Sequence, residues 1–169
     1  MYELKTLSKA SIPSALQKAE RYRLLNEPGE AESICLDILQ IDPKNQEALI
    51  TLLLANTDKF KESLYPAFDK ANELLEKLGD ANCKLYYRGV INERRAKVHL
   101  LNGGPGSGEL AHHWYTKAMA DYEKALNSCD PGNADAALRW NTCARILNEN
   151  PHLKPLEEQR TVEVTDGYE

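Results

Sequence analysis

The feature that most limits how this chain can fold is a spacing that occurs three times. Ala31, Cys35, Ile38-Leu39 and Pro43 return as Ala67, Ala71, Leu74-Leu75 and Gly79, and again as Ala118, Tyr122, Ala125-Leu126 and Asp130-Pro131. Each round has a small residue, a second packing residue four on, an apolar pair three later, and then a helix breaker. Such spacing puts the packing positions on one face of a helix and ends the helix soon after. A helix with one oily face must cover it. A repeated one covers it with its neighbours, so the pattern predicts a stacked helical array.

The first of these helices is preceded by another. Ile12, Ala15, Leu16, Ala19 and Tyr22 share a face, with Ser11 placed to cap the helix and Pro13 in its first turn. Residues 26–29 break it, and the stripe Ala31, Ile34, Cys35, Ile38 and Ile41 follows, ended by Pro43. A second pair puts Ala48, Leu49, Leu52 and Leu53 inward, then Leu64, Ala67, Phe68, Ala71, Leu74, Leu75 and Leu78. Pro66 falls in a first turn after Ser63, and Gly79 suits a left-handed stop. The third pair is longer. A helix over about 82–101 leads to the glycine-rich loop 102–108, and a helix over about 109–128 puts Trp114, Ala118, Tyr122 and Ala125 inward. Asp130-Pro131-Gly132 stops it. A last helix, 134–148, carries Ala137, Trp140, Ala144 and Leu147 and is placed to close the stack. Residues 151–169 read as a polar tail, mobile or draped on the surface, with the only hint of strand alternation at 161–165.

At 169 residues, with 42% apolar and 28% charged, the chain has the makings of one globular domain with a real core. The net charge of −5 argues against nonspecific nucleic-acid binding. No apolar run nears the roughly 18–20 residues a membrane span needs. Residues 1–10 hold two lysines and no apolar core of a secretory leader, so a cytoplasmic location is expected. Cys35, Cys83, Cys129 and Cys143 form no CxxC pair and read as free thiols, with Cys35 buried.

These spacings resemble the tetratricopeptide repeat (TPR), a helix-turn-helix unit of about 34 residues. Ala31, Cys35, Ile38 and Pro43 match the second-helix positions of that motif. Ala118, Tyr122, Ala125 and Asp130-Pro131 also match them, and Ala67, Ala71, Leu74 and Gly79 match more loosely. Leu85 and Gly89 fit the first-helix positions of the third unit alone. Ala67 follows Ala31 by 36 positions and Ala118 follows Ala67 by 51, so the third unit holds an insertion. The stretch 89–96, the Gly-Pro-Gly loop and Arg139-Trp140-Asn141 are similar to bacterial TPR proteins, which implies no activity. The resemblance implies an all-α, right-handed α-solenoid in one domain over 1–150. Its repeats would run over about 12–43, 44–79 and 82–131, with a cap over 133–148. It also implies a concave groove, lined by first helices, that binds a peptide or helix. The carboxylate clamp known in such repeats is not expected, because Tyr22 follows Lys18 where its pair needs Asn, and Lys84 with Arg88 is out of register.

Lys84, Arg88, Arg94, Arg95 and Lys97 stand against a single Glu93 on the third unit's first helix. Arg88 and Arg95 are seven apart and share a face, and a guanidinium fork suits a carboxylate. The strip is either a binding surface for an acidic partner or a face neutralised by Glu73, Glu76 or Glu123. The adjacent Tyr86 and Tyr87 cannot both be fully inside. Trp140 is either core or, with Asn141, a platform at the end of the groove. Gly103 to Leu110 has the glycines of a phosphate loop, but Glu109-Leu110 stands where Lys and Ser/Thr are needed, so nucleotide hydrolysis is not expected. The backbone of Gly104, Gly106 and Ser107 keeps open a weaker anion site. His112 and His113 diverge by about 100° on a helix and cannot share a metal. The expected function is non-catalytic protein–protein interaction through Arg88, Arg95, Tyr87, Asn92, Trp140 and Asn141, with no cofactor or metal. Two alternatives stand beside it: a small-ligand or anion-binding protein, enzymatic or not, built on loop 102–108 and the arginine strip, and self-association through the end helices.

Overall fold

The computed structural model describes residues 2–128 and 130–155. Among them are seven α-helices and no strand: α1 (Ile12–Leu24), α2 (Pro28–Ile41), α3 (Gln46–Asp58), α4 (Leu64–Glu76), α5 (Ala81–Asn102), α6 (Ser107–Leu126) and α7 (Asp135–Glu149). No helix among the described residues is long and apolar enough to cross a membrane. Each helix packs on the next, and α1 also packs on α3. Short turns force most helices back along their predecessors.

Local chemistry sets the ends. Asn45 starts α3 by accepting the Ala48 N–H at 2.9 Å. Asp80 starts α5 by accepting the Cys83 N–H at 2.6 Å. Ser11 does not cap α1 with its side chain: it follows straight from a 3-10 turn, Lys9–Ser11, and its hydroxyl donates back to the Ser8 carbonyl at 2.7 Å. The left-handed stop expected at Gly79 falls elsewhere, at Asn26 after α1 (φ 61°). Gly79 instead donates its N–H to Gln46 Oε1 at 2.9 Å, so the first residue of α3 satisfies the backbone after α4. Residues 103–106 turn the chain between α5 and α6, with Gly103, Gly104 and Gly106 at positive φ, a conformation that side chains with a Cβ resist.

The core has two parts. Ala19, Ala31, Cys35, Leu52, Leu53 and Leu74 belong to the one formed mainly by α1 to α4. Val90, Ala111, Tyr115, Tyr122 and Cys143 belong to the one formed by α5 to α7. Leu54 and Tyr87 touch both, so α3 and α5 join the halves. In α2, α3 and α4 the inward residues are those expected. In α6 Ala118, Tyr122 and Ala125 are buried as expected, and Tyr115 is buried in the place expected of Trp114, which is only half-buried. In α7 the buried positions are Ala136 and Cys143, while Ala137, Trp140, Ala144 and Leu147 are half-buried. The polar-tail reading also changes at its start. Leu153 is buried with α6 and α7, and Gly108 of α6 lies against the His152 carbonyl and the Leu153 side chain. Residues 156–169, with the strand hint at 161–165, lie outside the described residues.

Candidate interaction grooves

Ionic contacts join the odd-numbered helices side by side. Asp58 of α3 accepts from Arg23 Nε of α1 at 2.9 Å and also pairs with Arg94 of α5. Glu93 of α5 accepts from Arg139 Nη1 of α7 at 3.1 and 3.2 Å, and from the Tyr122 hydroxyl at 2.6 Å. Arg139 Nε donates to the Tyr86 hydroxyl at 3.1 Å. Burial alone would lower the Arg139 pKa, and the facing Glu93 overcomes this and holds it above its ordinary value. Burial, with Glu93 beside it, keeps the Tyr122 phenol protonated. These contacts link α1 to α3, α3 to α5 and α5 to α7.

Between α1, α3 and α5 lies an open groove of about 490 Å³. It is lined by Leu16, Ile50, Leu54 and Tyr87, all half-buried, and by the exposed Glu20 and Glu47. Burial pushes the Tyr87 phenol up to about 12, so this ring stays neutral and offers an apolar face with one hydroxyl. The apolar lining can take apolar side chains and the two glutamates can take polar or cationic ones.

A second groove, of about 500 Å³, lies between α4, α5 and α6. At its base is Asp121, 6% exposed. Arg88 Nε and Nη2 donate to Asp121 Oδ1 at 2.9 and 2.7 Å, and Asn92 Nδ2 donates to Oδ2 at 3.0 Å. The hydrogen bond to Asp121 raises the Arg88 pKa. Lys117 and Lys124 form the α6 rim. At the side of this groove Phe68 and Trp114 meet edge to face at 5.7 Å, and the Arg95 guanidinium sits over both rings, 4.2 and 4.0 Å from their centroids.

The residues singled out in the sequence are thus divided. Arg88 and Asn92 meet at Asp121 in the groove between α4, α5 and α6, and Arg95 sits against Phe68 and Trp114, which line the same groove. Of the residues singled out, Tyr87 alone lines the groove between α1, α3 and α5. Of the acids expected to neutralise the strip, Glu76 does so at Lys84, whereas Arg88 is met by Asp121, an acid not expected there. Trp140 packs on the α5–α7 core and Asn141 is exposed on α7, so neither joins Arg88 or Arg95. Asp121 stands three residues after Ala118, an acid inside an apolar stripe. That was the one available signal for it. Gly104 and Gly106 form the tight turn, and Ser107 opens α6, whose first turn already holds Glu109 and rests against the His152 carbonyl. A carboxylate and a carbonyl oxygen there work against an anion. Among the described residues no three His, Cys, Asp or Glu side chains converge as a metal site. Burial pushes the Cys35 and Cys143 thiols up to about 12, which leaves no thiolate at either position.

Comparison with known proteins finds no match: no family model, no curated protein and no solved structure.

Proposed function

We propose that this chain is a non-catalytic protein-interaction module, a right-handed TPR-like stack of three helical hairpins closed by α7, which docks a peptide or helix of another protein. The ionic row from Arg23 through Asp58 and Arg94, and from Glu93 to Arg139, supports the stacked reading, because it sets α1, α3, α5 and α7 next to one another. The observation that carries the function is the groove of the odd helices. Leu16, Ile50, Leu54 and Tyr87 leave apolar surface open in a concave site, where a soluble chain gains nothing by exposing it unless a partner covers it. The partner would present apolar anchors at helical or alternate spacing.

The test is a pull-down from native lysate with the wild type and with Leu16→Asp and Ile50→Asp, each variant first shown to melt like the wild type. Loss of the same co-purifying protein from both variants supports the reading. An unchanged set of partners removes it.

A further inference from the structure

Arg95 is the cation whose surroundings the fold leaves unfinished. Three of its four neighbours on α5 are matched: Lys84 by Glu76, Arg88 by Asp121 and Arg94 by Asp58. Arg95 has no hydrogen bond or ion pair among the described residues, and its Nε is sealed from solvent without an acceptor. Only aromatic faces meet it: Phe68, Trp114 and, at 5.9 Å, Tyr65. Burial lowers its pKa, against smaller opposing contributions from Tyr65 and Asp69. The rings fix the plane of the guanidinium and use its faces, so its terminal nitrogens remain as the donors for something else.

The groove beside it has the same bias. Lys117 and Lys124 on the α6 rim have no acid partner among the described residues, and Lys117 Nζ lies 4.9 Å from the Trp114 centroid. The acids near the groove are Asp121, saturated by Arg88 and Asn92; Glu76, held by Lys84; and Asp69 on α4. A surface with free lysines, a desolvated arginine and its base carboxylate already neutralised complements negative charge.

We propose that the α4–α5–α6 groove is a second docking site, for an acidic segment of a partner protein, with Lys117 and Lys124 as its rim and Arg95, stacked on the lining rings of Phe68 and Trp114, as the carboxylate-binding anchor beside it. The protein's net charge of −5 opposes dense polyanions at long range. It leaves room for a short peptide whose carboxylates meet these cations one by one within a Debye length of about 8–10 Å. This proposal rests on reading the chain as an interaction module, not on the groove between α1, α3 and α5.

Trp114 reports on the site directly, once Trp140→Phe has removed the only other tryptophan. The probes are blocked hexaglutamate and blocked hexaglutamine peptides, titrated against Trp114 emission. Hexaglutamate is expected to give a saturable change at about millimolar or tighter affinity, weakening as salt rises. Hexaglutamine is expected to give none. Arg95→Gln is expected to weaken the response about tenfold or more, the loss of one charge-assisted fork. Lys117→Gln with Lys124→Gln is expected to weaken it several-fold. Both lysines are exposed, so this variant decides the matter if Arg95→Gln does not fold. The proposal is overturned by no response to hexaglutamate, by an equal response to hexaglutamine, by equal binding of a thymidine oligonucleotide, or by unchanged affinity in the lysine variant. Leu16→Asp, which lies in the other groove and in neither core cluster, is expected to keep the full response. Failure here therefore leaves that groove's function standing, and the reverse also holds.

Discussion

A Cβ atom placed on Gly89 would stand 2.5 Å from Cε1 of Tyr122. The ring cannot step aside, because it is fully buried and its hydroxyl is bonded to Glu93. Gly89→Ala therefore sets a helix-propensity gain of about 1 kcal/mol against overpacking of about 1–3 kcal/mol or more. Net destabilisation is expected in urea unfolding. Gly29→Ala is the control: it meets nothing within 4 Å in the first turn of α2 and should be neutral or slightly stabilising. A Gly89→Ala protein as stable as the wild type would contradict the close approach of α5 and α6.

Asp121 holds Arg88 and Asn92 in one cluster, and the three should not act independently. A double-mutant cycle between Arg88→Ala and Asp121→Ala is expected to return a coupling of about 1 kcal/mol, modest because the Arg88 side chain is 45% exposed. Asp121→Ala alone should cost more than Arg88→Ala alone, since it strips a guanidinium and a buried amide of their acceptor. Arg88→Glu would face one carboxylate with another and is a test of folding before it is a test of binding. Additive losses would mean that the cluster is not coupled.

One carboxylate, Asp58, ties α1 and α5 to α3. Its removal in Asp58→Ala leaves Arg23 and Arg94 half-buried and facing each other, at a cost of about 2–3 kcal/mol. Arg23→Ala or Arg94→Ala alone should cost about 1 kcal/mol or less, because Asp58 keeps its other partner. Chemical denaturation of the three variants checks the order; equal costs would show that the carboxylate is not shared in solution.

Stability should fall on both sides of neutrality for identifiable reasons. Burial, and Arg95 beside it, lower the His99 pKa from 6.5. The unfolded chain then binds a proton that the native state resists, so this contribution is present above about pH 6.5 and is lost as pH falls through the folded value. His99→Gln should flatten the acid limb of melting temperature against pH. Cys35 and Cys143 move the other way, from 9.0 up to about 12 through burial. Their contribution is full below pH 9 and declines as pH rises toward 12. In native protein near pH 8, mass mapping should find neither thiol labelled by an aromatic disulfide reagent, and urea should expose both. Rapid native labelling of Cys35 would be incompatible with its sealed position.

Helix number and most inward faces were legible in the chain because burial on a helix has a period, and Ala31, Cys35 and Ile38 or Ala67, Ala71 and Leu74 obey it. On α6 Ala118, Tyr122 and Ala125 are buried as their spacing predicts, and Tyr115 takes the inward place expected of Trp114. Trp114 and Tyr115 are adjacent aromatics, and spacing cannot rank two large rings a hundred degrees apart. The arginine strip was read as one surface because a guanidinium over rings and one in water are spelled alike. Its real partners come from distant segments: Asp58 for Arg94, Asp121 for Arg88, and Phe68 with Trp114 for Arg95. Which charges meet across helices depends on how the hairpins rotate on one another, and periodicity along one helix does not record that rotation.

The α5–α6 hairpin outreaches its neighbours. Its helices have 22 and 20 residues against 13 in each of α3 and α4, which makes them about 10–14 Å longer. Near the glycine turn Leu101 is exposed, and the support seen there is the returning segment around Leu153. Proteases and exchanging amide protons should therefore attack this outboard tip first and leave the root of the hairpin, wedged at Gly89, until the whole molecule opens.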